Sequence, residues 1–280
     1  MPLPHLTQAS ASLTRDVSVV NEHGEHEDVS IPAERDLTVY VDRRELVTLM
    51  TLGARPEWLV LGFLRNQRLV ASVDEVESIT VDWDTNAAAV KTRSGIERIE
   101  ERTSRRVVTT GCGQGSVFGG LMDEIDTIRL PDTRITQAQL YGITNAIRVQ
   151  ETTYKSAGSV HGCALFRSEE LLLFVEDVGR HNAIDTIAGW MWTQPGFDST
   201  GLVFYTTGRL TSEMVIKAAQ MGVAIVVSRS GITQMGHEIA TRLALCTIGR
   251  ATNRRFLCYT APHRLALQPE LAGPKPTPRA

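Results

Sequence analysis

The sequence predicts an α/β protein, a mixed sheet covered by helices, with a smaller β-rich part at its N-terminal side. Three observations lead there. Beyond Thr136, short apolar runs alternate with segments of helical periodicity: CALFR, LLLFVE, HNAIDTIAGWMW, LVFYT, SEMVIKAAQMG and VAIVVS. The run VAIVV at 223–227 is apolar at every position, which suits a strand covered on both faces and a sheet that is at least partly parallel. Upstream, two segments alternate about turn residues and read as hairpins.

Taken in order, the first 30 residues are polar, rich in His, Glu and Ser, and read as disordered. LTVYVDRRELVTLMTLG at 37–53 reads as a hairpin about Asp42, Arg43 and Arg44. Pro56 opens a helix through EWLVLGFLRNQRL, in which Trp58, Leu61, Leu64 and Leu69 fall close to one face. SITVDWD and AAAVKTR form a second hairpin around Asn86, and RVVTT at 106–110 is a strand. After the linker RLPDTR, Thr136 N-caps a helix over TQAQLYGITNAIRVQE. The alternating strands and helices follow, with a helix from Thr233 and a last strand at RFLCYT. From Gln268, the prolines 269, 274, 276 and 278 mark a flexible tail. The expected organisation is a disordered segment at 1–30, a β-rich part at 31–130 that carries a cysteine loop, an α/β core at 131–267 and a tail at 268–280.

With 280 residues, 42% of them hydrophobic and 22% charged, the chain can bury a sizeable core. A net charge of −3 gives no general attraction to nucleic acid or to anionic membranes, so neither is an expected partner. The N-terminal segment lacks the apolar stretch of a secretory signal, and the longest apolar runs are far too short to span a bilayer. Four cysteines, at 112, 163, 246 and 258, have neither the density of a disulfide scaffold nor paired metal-ligand spacing. They read as reduced thiols of a cytoplasmic protein, and no metal site is expected.

Cys112 stands in TTGCGQGSVFGG, directly after a predicted strand and among Gly111, Gly113, Gly115, Gly119 and Gly120. Glycines allow close approach of other groups, and their exposed N–H groups can stabilise an anionic sulfur. A reactive thiol and a small filler in a turn both fit this pattern. Cys163, Cys246 and Cys258 lie in apolar stretches and read as small buried hydrophobes. A zinc deaminase would need H-x-E and P-C-x-x-C motifs, and neither occurs.

Polar groups gather where strands give way to helices, the edge at which α/β folds bind ligands. EDVGRHNAID places Glu176, Asp177, Arg180 and His181 at such a junction; the acids could cap the helix, while Arg180 and His181 could hold an anion or move a proton. TTGRLTSEMVIKAAQMG repeats the arrangement, with Arg209 in the turn and Glu213 and Lys217 spaced as a helix-surface ion pair. SRSGIT at 228–233 offers a third polar turn. Between Glu238 and Arg264, five arginines (242, 250, 254, 255 and 264) face one acid, so GRATNRRF is either a phosphate-binding segment or a solvated basic turn.

These motifs, in this order, resemble the FdhD/NarQ family from about Glu34 to Arg264, with EDVGRHNAID and GRLTSEMVIKAAQMG the most specific. The resemblance implies a sulfur carrier, a sulfurtransferase-type accessory protein needed for formate dehydrogenase activity. Such a protein takes persulfide sulfur from a cysteine desulfurase and passes it to the molybdenum bis-guanine-dinucleotide cofactor, its transient substrate. It implies further a fold similar to cytidine deaminases without their zinc, and a homodimer. In this sequence the carrier role falls on Cys112. The guanine-nucleotide portion falls near Arg250, Ala251, Thr252, Asn253, Arg254 and Arg255, with Arg180, His181 and Arg209 as further contacts.

The sequence departs from the family pattern in two places. Many members carry C-x-x-C in the loop, whereas Gly115 stands three residues after Cys112, and Thr252 and Asn253 stand where an Arg-Gly pair is common. A single thiolate still suffices to accept sulfur. A chaperone that binds the cofactor without transferring sulfur is the alternative reading. A cysteine hydrolase with His161 or His181 as base is a third.

Overall fold

The computed structural model describes residues 3–96, 125–150 and 152–273. RVVTT and the Cys112 loop lie outside these residues. The helices are α1 (Pro56–Asn66), α2 (Gln137–Val149), α3 (Thr153–Ala157), α4 (Arg180–Trp192), α5 (Ser212–Gln220) and α6 (Gln234–Arg242). The described chain forms two compact units from interleaved segments: 3–96, 152–163 and 174–198 in the first, and 125–150, 164–173 and 199–273 in the second. The single boundary expected at residue 130 is thus corrected to an exchange of segments. Its cause is α4, which is buried on nearly every face and packs on α1, so that it belongs with the N-terminal strands.

The first unit holds a five-stranded sheet. Its strands are β1 (His5–Leu6), β4 (Arg35–Val41), β5 (Arg44–Thr51), β6 (Val76–Asp82) and β7 (Ala87–Thr92), in the order β1-β6-β7-β4-β5. Both hairpins stand as the sequence predicts. The β4–β5 turn places Asp42 and Arg43 at φ 47° and 71°, the left-handed conformation that a two-residue hairpin turn needs. Leu37, Val39, Leu49, Ile79, Ala88 and Val90 alternate inward and form a core with Leu59, Val60, Leu61 and Leu64 of α1. α1 is therefore buried well beyond the one face read from Trp58, Leu61 and Leu64. Trp58 itself is half-buried, with the Arg55 guanidinium 5.2 Å from its ring centroid.

Disorder through residue 30 is not what the structure shows. β2 (Thr14–Val20) and β3 (His26–Pro32) pair antiparallel, with Val17 opposite Val29. The turn between them is fastened by Asn21, whose side-chain oxygen accepts from the His23 and Glu25 backbone N–H groups at 3.0 Å. Exposed Arg15, Asp16 and Ser18 in the first strand and His26, Glu27 and Asp28 in the second dilute the apolar alternation, which hid both strands in the sequence. Ahead of the hairpin, β1 pairs with β6, and Glu57 accepts from the Thr7 hydroxyl at 2.7 Å and the Ala9 N–H at 2.6 Å.

The second unit is built on a six-stranded sheet of order β10-β9-β11-β12-β13-β14. β9 (His161–Arg167) and β10 (Glu170–Asp177) contribute 164–167 and 170–173 to this unit, and their remaining residues belong to the first. β11 (Leu202–Thr206), β12 (Ile225–Ser228) and β13 (Cys246–Thr252) run parallel, and β14 (Arg255–Thr260) returns antiparallel. The VAIVV run is buried throughout, as a strand covered on both faces requires. α6 packs on α5, β13 and β14. Thr136 caps α2 with a reciprocal capping box to Gln139, which confirms the predicted start of that helix. A short pairing of β8 (Ile135–Thr136) with β15 (Leu265–Ala266) brings the chain end beside α2. There Gln268, the first residue of the expected tail, accepts from Ala138 N–H at 3.0 Å and donates its own N–H to Gln137 at 2.9 Å.

Candidate functional site

Within the second unit, the C-terminal ends of β11, β12 and β13 lie side by side, and each carries an exposed arginine: Arg209, Arg229 and Arg250. Their backbones are laced together. Arg229 N–H donates to Thr206 O at 3.0 Å, Arg250 N–H to Ser230 O at 2.8 Å, and Leu210 N–H to Gly231 O at 2.9 Å. Ser228 ties the turns further, its hydroxyl donating to Gly208 O at 2.6 Å and accepting from Ser230 N–H at 2.9 Å. Two of the three polar turns singled out in the sequence therefore form one edge together with the end of β13.

Arg250 sits in a break of the β13–β14 register at φ 51°. The preceding residue must be glycine, since a Cβ on Gly249 would lie 2.7 Å from the Tyr259 ring and 2.8 Å from Ser230 O. This close approach seats the Ser228–Gly231 turn on β13. Of the two readings of GRATNRRF, a phosphate-binding segment or a solvated basic turn, neither placed it in the sheet, yet most of it is strand: β13 runs to Thr252, β14 starts at Arg255, and only Asn253 and Arg254 lie between. Arg250, Thr252, Asn253, Arg254 and Arg255 are exposed, while the Ala251 side chain is buried. The Arg254 carbonyl accepts from the Tyr141 hydroxyl at 3.1 Å, and Tyr141 packs edge-on against Phe256.

Of the five arginines counted in this stretch, two are committed to the fold. Arg264 is buried and donates to Ala244 O at 3.0 Å, Pro131 O at 2.7 Å and Thr133 O at 3.2 Å. Arg242 makes a forked ion pair with Asp126. The basic character of the edge therefore rests on Arg250, Arg254 and Arg255, joined by Arg209 and Arg229. Arg229 was not among the sequence candidates. Its signal was available in the Ser-Arg-Ser-Gly that follows an all-apolar strand.

At the start of α5, Thr211 occupies the N-cap without a side-chain capping bond, and its hydroxyl is buried with no partner among the described residues. Positive helix-end potential beside exposed guanidinium groups suits an oxyanion such as a phosphate. Glu213 and Lys217 do not form the surface pair expected. Their side chains are 9% and 2% exposed, with Nζ 3.6 Å from Oε1, because α5 is buried along most of its length.

Arg180 and His181 belong to the first unit, where both are buried in the first turn of α4. The acids beside them do not share a capping role. Asp177 accepts four hydrogen bonds, from Thr51 Oγ1 (2.5 Å), Leu52 N–H (3.2 Å), Gly179 N–H (3.1 Å) and Asn182 Nδ2 (2.9 Å). Burial pushes its carboxyl above the ordinary range, against these donors, which pull it down. Glu176 turns instead to α3 and accepts from Thr153 N–H at 2.6 Å and Tyr154 N–H at 3.2 Å. Cys163 is fully buried, as expected of a small core residue. Cys112 lies outside the described residues. Among the described residues, no three His, Cys, Asp or Glu side chains are grouped to hold a metal, and no helix is long and apolar enough to cross a membrane.

The family model described as the FdhD/NarQ family matches residues 32–266. Curated relatives named "Sulfur carrier protein FdhD" include one from Halalkalibacterium halodurans, 27% identical over 93% of this chain and 97% of its own length. Another, from Bacillus subtilis, is 30% identical over 83% of this chain and 88% of its own length. A crystal structure from Desulfotalea psychrophila, described as a formate dehydrogenase accessory protein, matches with a TM-score of 0.71 and 24% identity over 90% of this chain and 98% of that one, which shows a shared fold.

Proposed function

Because the chain belongs to the FdhD/NarQ family, we propose that it is a sulfur carrier for formate dehydrogenase, taking persulfide sulfur from a cysteine desulfurase onto Cys112 and passing it to a molybdenum bis-guanine-dinucleotide substrate. The Cys112 thiolate attacks the outer sulfur of the donor persulfide, the donor sulfur–sulfur bond breaks, and the desulfurase leaves as its thiolate while Cys112 becomes the persulfide. The sulfane sulfur so gained is the group delivered. Gly111, Gly113 and Gly115 give the loop sequence the small residues that a sulfur moving between two large partners needs.

The observation that supports cofactor binding is the row of exposed Arg209, Arg229 and Arg250 at three adjacent strand ends, continued by Arg254 and Arg255. Guanidinium forks suit the pyrophosphate of a guanine dinucleotide. Arg180 and His181, in the first turn of α4, remain in this proposal as candidate contacts to an anionic group of the cofactor. The same reading takes the second unit's sheet to be similar to that of cytidine deaminases, and the working protein to be a cytoplasmic homodimer.

Intact-mass measurement without reductant, after incubation with a cysteine desulfurase and cysteine, tests the proposal. A gain of one sulfur, about 32 Da, that survives Cys163→Ala and vanishes in Cys112→Ala is the expected result. No gain on Cys112 with an active desulfurase present would overturn sulfur transfer and favour a cofactor chaperone.

A further inference from the structure

Cys246 opens β13 and Cys258 lies on the neighbouring β14, and their sulfurs are 3.9 Å apart. Cys246 is fully buried, whereas Cys258 is half-buried and so open to a small reagent on one side. Nothing in their spacing of twelve positions announced the pair; the antiparallel pairing of β13 with β14, which sets Ile248 opposite Cys258, brings Cys246 within reach of it. Bridging needs the sulfurs to close by roughly 2 Å, a distance within reach of a side-chain rotation at the outer residue.

The thiols are also chemically unequal. The Cys258 sulfur lies 3.5 Å from Thr260 O and 3.9 Å from the Cys246 sulfur, where the Cys246 S–H can donate to it. That donor holds the Cys258 thiol below the ordinary range against the opposing effect of burial, while Cys246 is held far above it. Because Cys258 is half-buried and Cys246 is enclosed, the outer thiol is the one a reagent reaches and the inner one is the resolving group.

We infer that Cys246 and Cys258 form a redox-active dithiol that a peroxide converts to an intramolecular disulfide, clamping the β13–β14 hairpin that carries Arg250–Arg255. The Cys258 thiolate attacks one peroxide oxygen; the O–O bond breaks, and the sulfenic acid forms with loss of water once a proton is taken up. The Cys246 sulfur then attacks the sulfenic sulfur, its proton leaves with the hydroxyl as a second water, and the S–S bond closes. Two thiols lose two electrons in all, and one hydrogen peroxide is reduced to two waters. The inference does not depend on sulfur transfer by Cys112.

Treatment of the purified full chain with hydrogen peroxide, followed by alkylation and peptide mapping, tests it. The expected product joins the Cys246 and Cys258 peptides with loss of two hydrogens, neither thiol alkylated, and thiol reductant restores both. Cys258→Ser should leave Cys246 reduced under the same treatment, and Cys246→Ala should let Cys258 run on to the sulfinic acid. Because Cys246→Ala alters the core, Cys258→Ser at the half-buried position keeps the test decisive if that variant fails to fold. Oxidation of wild-type Cys258 to the sulfinic acid with Cys246 still alkylated would overturn the dithiol, as would a disulfide that includes Cys112 in place of either thiol.

Discussion

A Cβ placed on Gly62 would lie 1.7 Å from the backbone oxygen of Asp185, so α1 and α4 meet backbone to backbone. Gly189 makes the reciprocal approach, where a Cβ would lie 1.9 Å from Trp58 O. Arg65 and Asn66 reinforce the contact, donating to Ala188 O at 2.8 Å and Asp185 Oδ1 at 2.7 Å. Such proximity leaves no room for a methyl group without moving a helix.

Gly62→Ala and Gly189→Ala should each destabilise the chain by roughly 3 kcal/mol or more, the overpacking seen when a well-packed contact gains an atom it cannot accommodate. Urea denaturation followed by far-ultraviolet circular dichroism reads the loss. Unchanged midpoints would show that the helices can part without cost.

Asp177→Ala removes one acceptor group from four donors at once, in a place water does not reach. A loss of about 3–5 kcal/mol is expected. Asp177→Asn keeps one oxygen and turns an amide against donors at the other, so an intermediate loss, about 1–3 kcal/mol, should appear in the same denaturation series.

Arg264 and Arg254 separate stability from binding. Arg264→Ala strips hydrogen bonds from three backbone carbonyls and should cost about 2–3 kcal/mol. Arg254→Ala changes an exposed side chain and should stay within about 0.5 kcal/mol of the parent. Under the proposed function, calorimetric titration with a guanine nucleotide should show Arg254→Ala and Arg255→Ala weakened several-fold, and more at low salt than at high.

Lys217→Ala would remove the ammonium group 3.6 Å from buried Glu213, a change that costs about 3–5 kcal/mol. Replacing both together, as Glu213→Leu with Lys217→Met, should recover most of that loss. A double variant no more stable than Lys217→Ala would mean that the pair's other contacts dominate.

The pH dependence of alkylation follows from the Cys246–Cys258 contact. Thiolate is the reactive form, so a depressed Cys258 value makes its alkylation inflect at a pH below that of an ordinary thiol. Removing the donor in Cys246→Ala should raise the inflection and slow alkylation at neutral pH. Peptide-resolved rates with iodoacetamide check both.

Much of the architecture was legible in advance because it depends on neighbours in sequence. Asp42 and Arg43 at a hairpin turn, Pro56 at a helix start, Thr136 as an N-cap, a helix beginning near Thr233 and the apolar run at 223–227 each act within a few residues. The strands at 14–20 and 26–32 escaped because exposed polar residues, Arg15 and Asp16 in one and His26, Glu27 and Asp28 in the other, dilute the alternation. β13 escaped because Gly249 and Arg250 resemble a turn, and only the seating of Ser230 against them explains their place in a strand.

The sequence by itself determined the family resemblance, most of the elements between residues 37 and 260 and the arginine-rich stretch near residue 250, since motifs, periodicity, capping and composition are local properties. Tertiary structure alone decided which charges face solvent and which serve the fold. Arg264 and Arg254 are the same residue type ten positions apart, yet one binds three carbonyls inside the second unit and the other is exposed beside them in sequence only. It also decided that α4 joins α1 and that Cys246 meets Cys258. The reason is physical: a side chain's direction and partners are set by packing and hydrogen bonds from distant segments, which no window along the chain contains.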